Sequence, residues 1–336
     1  MESWDGLLQK YSDILSEMDI MPSQEGSLEE DLQIETRVKS KPLAKTVEKG
    51  PLIRDIPSID HPKKIKYFMD GIQRTVLIGY KEASRYVTVV PVHFHMSGAV
   101  IVEYDAQTGE HEPIYGPSYM TKLLIPSKKI MPSGFLHKYG NELEETIDVG
   151  KPTWDFAELR RKAMSKSRLI RWMLEVELLE KFLAEQDEAI IVDGLIPARR
   201  SLLQNKNLIG VVKSHREQYL KRKDEMMILR MDEGCRSSVS QIERKVGDDK
   251  YPIYFFYLKL HKINPDPFHG LVRVEFHPDL IREVDKISAA IYNLRDPIAI
   301  KTAAWDRKIY PIYLCEQYLK SNCPNIDIIR TSLRGF

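Results

Sequence analysis

Two aspartates each follow a hydrophobic run and precede a glycine, in Phe68-Met69-Asp70-Gly71 and Ile191-Val192-Asp193-Gly194. In an open α/β sheet, ligands collect beyond the carboxyl ends of the strands. Two carboxylates there, on neighbouring strands, can share a hard divalent cation such as Mg²⁺ or Mn²⁺. Two-metal phosphodiester hydrolysis needs several such groups converging on one point. Taken singly, an Asp-Gly pair only ends a strand in a turn; the repeated context makes the two a candidate site. The long helix between them offers a third carboxylate. Glu175 and Glu177 lie 18 and 16 residues before Asp193. At about 1.5 Å per helical residue and about 3.3 Å per strand residue, both come near the level of Asp193. They flank the apolar stripe of the helix on opposite sides, so one faces the cleft and the other solvent. The spacing does not choose between them.

The elements that must position these acids are legible in outline. Trp154 to about Ala184 lacks Gly and Pro and carries a stripe of Leu169, Trp172, Met173, Val176, Leu179 and Leu183, which predicts one long amphipathic helix. The runs 66–71, 74–79, 86–95 and 98–104, rich in Val, Ile, Thr and Tyr, predict strands of an antiparallel meander. Residues 189–194, 208–212, 251–260 and 271–276 predict further strands, and 215–231, 278–294 and 311–321 predict helices. Residues 107–152 are turn-rich and poorly patterned. Before all of this, Leu7, Leu8, Tyr11, Ile14, Leu15 and Met18 recur at helical spacing. Residues 1–60 therefore read as an N-terminal helical arm, with a second helix at 27–38, and 61–336 as the main domain. The expected class is α/β, a mixed sheet flanked by helices.

Lys plus Arg number 50 against 49 Asp plus Glu, a net charge of +1, so nucleic acid would not be held by bulk charge but by a local basic groove. The best candidate gathers Arg199, Arg200, Lys206, Lys213, His215, Arg216, Lys221, Arg222 and Lys223, where clustered cations can track phosphates. The three cysteines form no CxxC pair, which excludes a disulfide framework or Cys-rich zinc site and suits a reducing compartment. No apolar run reaches the roughly 18 residues of a membrane span; the expected location is the cytoplasm. A P-loop, a Gly-x-Ser-x-Gly elbow and a His-Glu-x-x-His motif are absent, so ATP hydrolysis through a P-loop is not expected of this chain. His93 and His95 share one face of a strand with no evident third ligand, and read as satisfied strand histidines rather than zinc ligands.

The order strand–Asp70-Gly71 with Arg74 close behind, meander, Glu-bearing helix, strand–Asp193-Gly194, Ile209-Gly210-Val211-Val212-Lys213-Ser214, Tyr257-Leu258-Lys259-Leu260 and Val272-Arg273-Val274-Glu275 resembles the NurA nuclease family over about residues 65–310. The resemblance implies an RNase H-like core and a nuclease that processes DNA ends with Mn²⁺ or Mg²⁺, in repair or in defence against foreign DNA. It also implies a HerA-type hexameric translocase as partner and a homodimer. By position it makes Asp70 the first metal ligand, Glu175 or Glu177 the second and Asp193 the third. Lys213 would hold a phosphate or orient the attacking water, and Arg74 would steady Asp70 or the DNA backbone. The chain departs from the family where Ile72 and Leu195 replace the usual Ser. It departs again where Asp296-Pro297 and Ala303-Ala304 stand for a Tyr-Pro and an Ala-His pair. Asp306 is a candidate for the missing late ligand. The lost His also leaves open a catalytically weakened, DNA-binding or regulatory subunit of the translocase.

Overall fold

The structure, a computed structural model, describes residues 3–23, 39–40, 44–59, 63–83, 88–147, 155–215, 217–261, 266–295 and 309–334. The predicted helix at 27–38, Arg216, and the stretch containing Pro297, Ala304 and Asp306 lie outside them.

Three long strands, β1 (Tyr67–Ala83), β2 (Thr88–Tyr104) and β3 (His111–Ile125), form the antiparallel meander. Helix α1 (Phe156–Glu185) follows, then β4 (Ile190–Asp193) and β5 (Leu208–Val212). β4 pairs parallel with both β1 and β5. The spatial order β3-β2-β1-β4-β5, with β4 and β5 parallel to β1, is that of an RNase H-like core. Beyond β5 the sheet continues antiparallel through β8 (Leu271–Phe276), β7 (Asp249–Lys259) and β6 (Ser240–Val246).

Side chains alternate across a strand, and the two faces of the sheet bury separate cores. One contains Phe68, Ile72, Ile191, Ile209 and Val211, covered by α2 (Val284–Asn293), α3 (Tyr310–Ser321) and α4 (Ile326–Arg334). The helix Trp4–Glu17 joins this layer, with Leu8, Tyr11, Ile14 and Leu15 all buried in it. Its start is capped by Ser3, whose hydroxyl accepts from the Gly6 N–H, the expected use of Ser at an N-cap. The other core contains Tyr67, Met69, Ile190 and Val192 under α1.

The structure corrects four local expectations. The runs 66–71 and 74–79 are one strand, because Asp70-Gly71 does not turn the chain, and 86–95 and 98–104 likewise merge into β2. The expected stripe of α1 holds only in its second half, where Val176 and Leu179 are buried; in the first half the buried face runs through Leu159, Ala163, Ser167 and Ile170, whereas Leu169 and Met173 are exposed. A stripe drawn through the largest side chains passes over Ala163 and over Ser167, whose hydroxyl lies 2.7 Å from that of Thr75 on β1. The helix expected at 215–231 is confined to Arg222–Leu229. The described part of 107–152, residues 107–147, holds β3, a short helix Ser133–Tyr139 and the strand Leu143–Glu145. Among the described residues no helix is long and apolar enough to cross a membrane.

Candidate active site

The register brings the two aspartates together. β1 and β4 pair as Phe68↔Ile191 and Met69↔Val192, and Asp70 and Asp193 are each one residue further on. Phe68 and Ile191 point into the same core, so by alternation both aspartates lie on that face. β5 carries Ile209 and Val211 into it as well. Lys213 continues that row, and its Nζ is 2.9 Å from Asp193 Oδ1. Two acids and one ammonium thus span three adjacent strands where the parallel strands end. Gly194 takes φ 103° and turns the chain directly after Asp193.

Gly71 serves another purpose. It lies inside β1, and a Cβ there would stand 2.2 Å from Glu175 Oε1. The bare backbone admits the Glu175 carboxylate, carried in by α1 from the opposite face. Arg171, one turn earlier, places Nε 3.3 Å from Glu175 Oε1 and reaches the Gly71 carbonyl at 3.5 Å. Glu177 is not in this cluster: it is exposed and lines a separate groove with Tyr67, Tyr115 and Lys181.

The electrostatics register this crowding. Burial and the charge of Asp193 push the Asp70 carboxyl well above the usual range, against the pull of Lys213 and the Gly71 N–H, which donates to Asp70 Oδ1 at 2.7 Å; Glu175 adds to the rise. Burial also raises Glu175, opposed by Arg171 and reinforced by Asp193. Burial works against the Lys213 ammonium, yet Asp193 and Asp70 outweigh it, so its pKa lies above the ordinary value and the group stays charged. A protonated Lys213 can neutralise anionic oxygen.

Asp70 and Asp193 open on a cleft of about 380 Å³ lined also by Gly71, Arg74, Arg171, Glu316 and Lys320; Glu175 and Lys213 lie behind its wall. Sequence reasoning missed Arg171, Glu316 and Lys320. Arg171 had a signal in its i,i+4 spacing to Glu175, but nothing in the sequence announced that α3 lies beside the strand ends. Arg199, Arg200 and Lys206 do not line the cleft, and Arg199 is tied to Glu180 with Nε 3.1 Å from Oε1. His93 and His95 are buried; His95 lies 3.3 Å from Thr75 Oγ1 and 3.2 Å from Ser97 Oγ.

Asp70, Asp193 and Glu175 offer only carboxylate oxygens, the donor set a hard divalent cation takes. Asp193 and Glu175 each raise the Asp70 carboxyl, a repulsion that added positive charge would relieve. The acids therefore fit such an ion in chemistry. They are drawn to Lys213 and Arg171, and among the described residues no group of three acidic, His or Cys side chains forms a ready metal shell.

The family model described as the NurA domain matches residues 122–320, more than half of the chain. The match spans Glu175, Asp193, Lys213 and Glu316, and begins after Asp70. No curated protein matches the chain.

Proposed function

The chain belongs to the NurA family, a nuclease family associated with HerA-type translocases, and on that premise we propose that it hydrolyses DNA phosphodiesters at DNA ends. The observation that carries this reading is the meeting of Asp70 and Asp193 at the ends of two paired parallel strands, with Lys213 on Asp193 and Glu175 packed against Gly71 beside Asp70. Asp70, Asp193 and Glu175 would hold the divalent cation, Mn²⁺ or Mg²⁺. Such an ion, when bound, supplies Lewis-acid stabilisation of the phosphate and activation of water. Lys213 keeps its proton and offsets charge building on the phosphate oxygens. Arg74 and Arg171 line the cleft and would grip the DNA backbone. Arg171 also steadies Glu175.

The proposed partner is a HerA-type hexameric ATPase and the proposed assembly a homodimer. The role would lie in repair or in defence against foreign DNA. Linear DNA incubated with the protein and Mn²⁺, with and without the partner, should be shortened. Asp70→Asn and Asp193→Asn should each abolish cleavage with the fold intact; full activity in either variant would remove the proposed site.

The Lys213–Asp193 and Arg171–Glu175 pairs favour a second reading. They neutralise the acids without any added ion, as a DNA-gripping subunit with weakened catalysis would need. Metal-independent retardation of DNA on a gel, without shortening, would support it.

A further inference from the structure

The acids recognised from sequence come from β1, β4 and α1, yet another carboxylate faces the same cleft. Glu316 belongs to α3, whose inner side is fixed against β1. Ile312, Cys315 and Leu319 are buried in the core that holds Phe68. Cys315 Sγ donates to the Phe68 carbonyl at 3.4 Å, two residues before Asp70. Glu316 follows Cys315 directly, so its backbone is anchored to the strand that carries Asp70. It lines the cleft together with Asp70 and Asp193.

We propose that Glu316 is a fourth acid of the catalytic centre, a carboxylate that α3 supplies to hold the divalent cation with Asp70 and Asp193. This rests on the nuclease reading above. Hard cations take six or more oxygen ligands. Asp70 and Asp193 would supply some of them from the sheet, and Glu316 would add another from α3 in the same cleft. Glu316 Oε1 is 2.7 Å from Lys320 Nζ, one turn on, with the two side chains 31% and 49% exposed. A partly exposed i,i+4 pair is held weakly, so Lys320 can yield Glu316 to an ion. Lys320 also lines the cleft and is then free to meet a DNA phosphate.

The test is Mn²⁺ binding to the full chain without DNA, followed by the loss of the free-ion electron paramagnetic resonance signal. Glu316→Gln should weaken binding about tenfold or more, in the range seen when a metal site loses a supporting group. Glu316→Asp, which keeps the charge on a shorter stem, should fall between it and the native chain. Glu112→Gln, an equal charge change at an exposed position on β3, should bind as the native chain does. Thermal melts without metal should show all the variants folded. If Glu316→Gln titrates like the native protein while Asp70→Asn is weakened, the Glu316 assignment falls and the nuclease reading stands. If the native chain binds no Mn²⁺, or Asp70→Asn binds as well as it does, both fall.

Discussion

The carboxylate of Glu175 occupies the space where a side chain at Gly71 would begin, its Oε1 2.2 Å from an ideal Cβ at that position. Gly71→Ala sets the new methyl against the tip of a flexible side chain, not against backbone, so the fold can absorb it by displacing Glu175. The expected result is a melting temperature within a few degrees of the native one and a loss of cleavage of about 10²-fold, the scale for misplacing a catalytic group by about 1 Å. Thermal melts beside single-turnover cleavage of linear DNA would check this. Unimpaired cleavage by Gly71→Ala would show that the Glu175 position is irrelevant to the chemistry.

Lys213 keeps its proton because Asp193 and Asp70 outweigh the penalty of burial. Lys213→Met removes that charge and leaves Asp193 without its 2.9 Å partner. Cleavage at saturating Mn²⁺ should drop about 10²- to 10³-fold, as for loss of one preorganised donor. Lys213→Arg should retain part of the rate. Were Lys213 instead a base, the Arg variant would be as inactive as the Met variant.

The chain's patterning exposed the acids and the α/β class but not the device that joins them. Asp70-Gly71 and Asp193-Gly194 have the same local sequence, yet only the second ends a strand. Gly71 is demanded by a carboxylate 104 residues later in the chain, and no local pattern encodes such a clearance. Which of Glu175 and Glu177 lies beside Asp70 likewise depends on how α1 is rotated over the sheet, which local spacing does not encode. Helix Trp4–Glu17 was legible from its spacing. Its burial in the main core, with the Tyr11 hydroxyl donating to the Thr121 carbonyl at 2.9 Å, is a long-range contact that spacing cannot show. Glu316 was hidden for the same reason.

His93 and His95 give the fold a dependence on pH. Burial, aided by Arg160 for His93 and by Arg171 for His95, lowers each pKa to about 3, against about 6.5 in the unfolded chain. Between those values the unfolded chain binds protons that the folded one refuses. This contribution to stability is therefore complete above about pH 6.5 and is lost as the pH falls toward 3. The limiting slope is about 1.4 kcal/mol per pH unit for each histidine. Asp70 and Glu175, with raised values, act in the opposite direction, so the clean measure is a difference. Urea unfolding at pH 7 and pH 5 should show a smaller loss of stability on acidification for His95→Gln than for the native chain. Equal losses would mean that His95 is protonated in the folded state.

The turn that carries Asp193 is fixed by a buried ion cluster on the extended half of the sheet. Glu275, fully buried, accepts from the Ile196 N–H at 3.3 Å, and Arg244 donates to both Glu275 oxygens at 2.7 Å and to the Ile196 carbonyl. Arg273, also buried, lies 3.2 Å from the same carboxylate. Gly210 lets this turn pack down, since a Cβ there would stand 2.7 Å from the Gly194 carbonyl oxygen. Glu275→Leu would leave the buried Arg273 without its carboxylate and release Ile196, three residues after Asp193. Removing one partner of a buried pair costs about 3–5 kcal/mol, and urea unfolding should show a loss of that order. Glu275→Gln keeps an acceptor for Ile196 and should lose less. In that milder variant, cleavage should still decline while the melt stays cooperative, because the turn holding Asp193 has lost its charged anchor. A Glu275→Leu protein as stable as the native chain would show that the cluster contributes nothing to holding this turn.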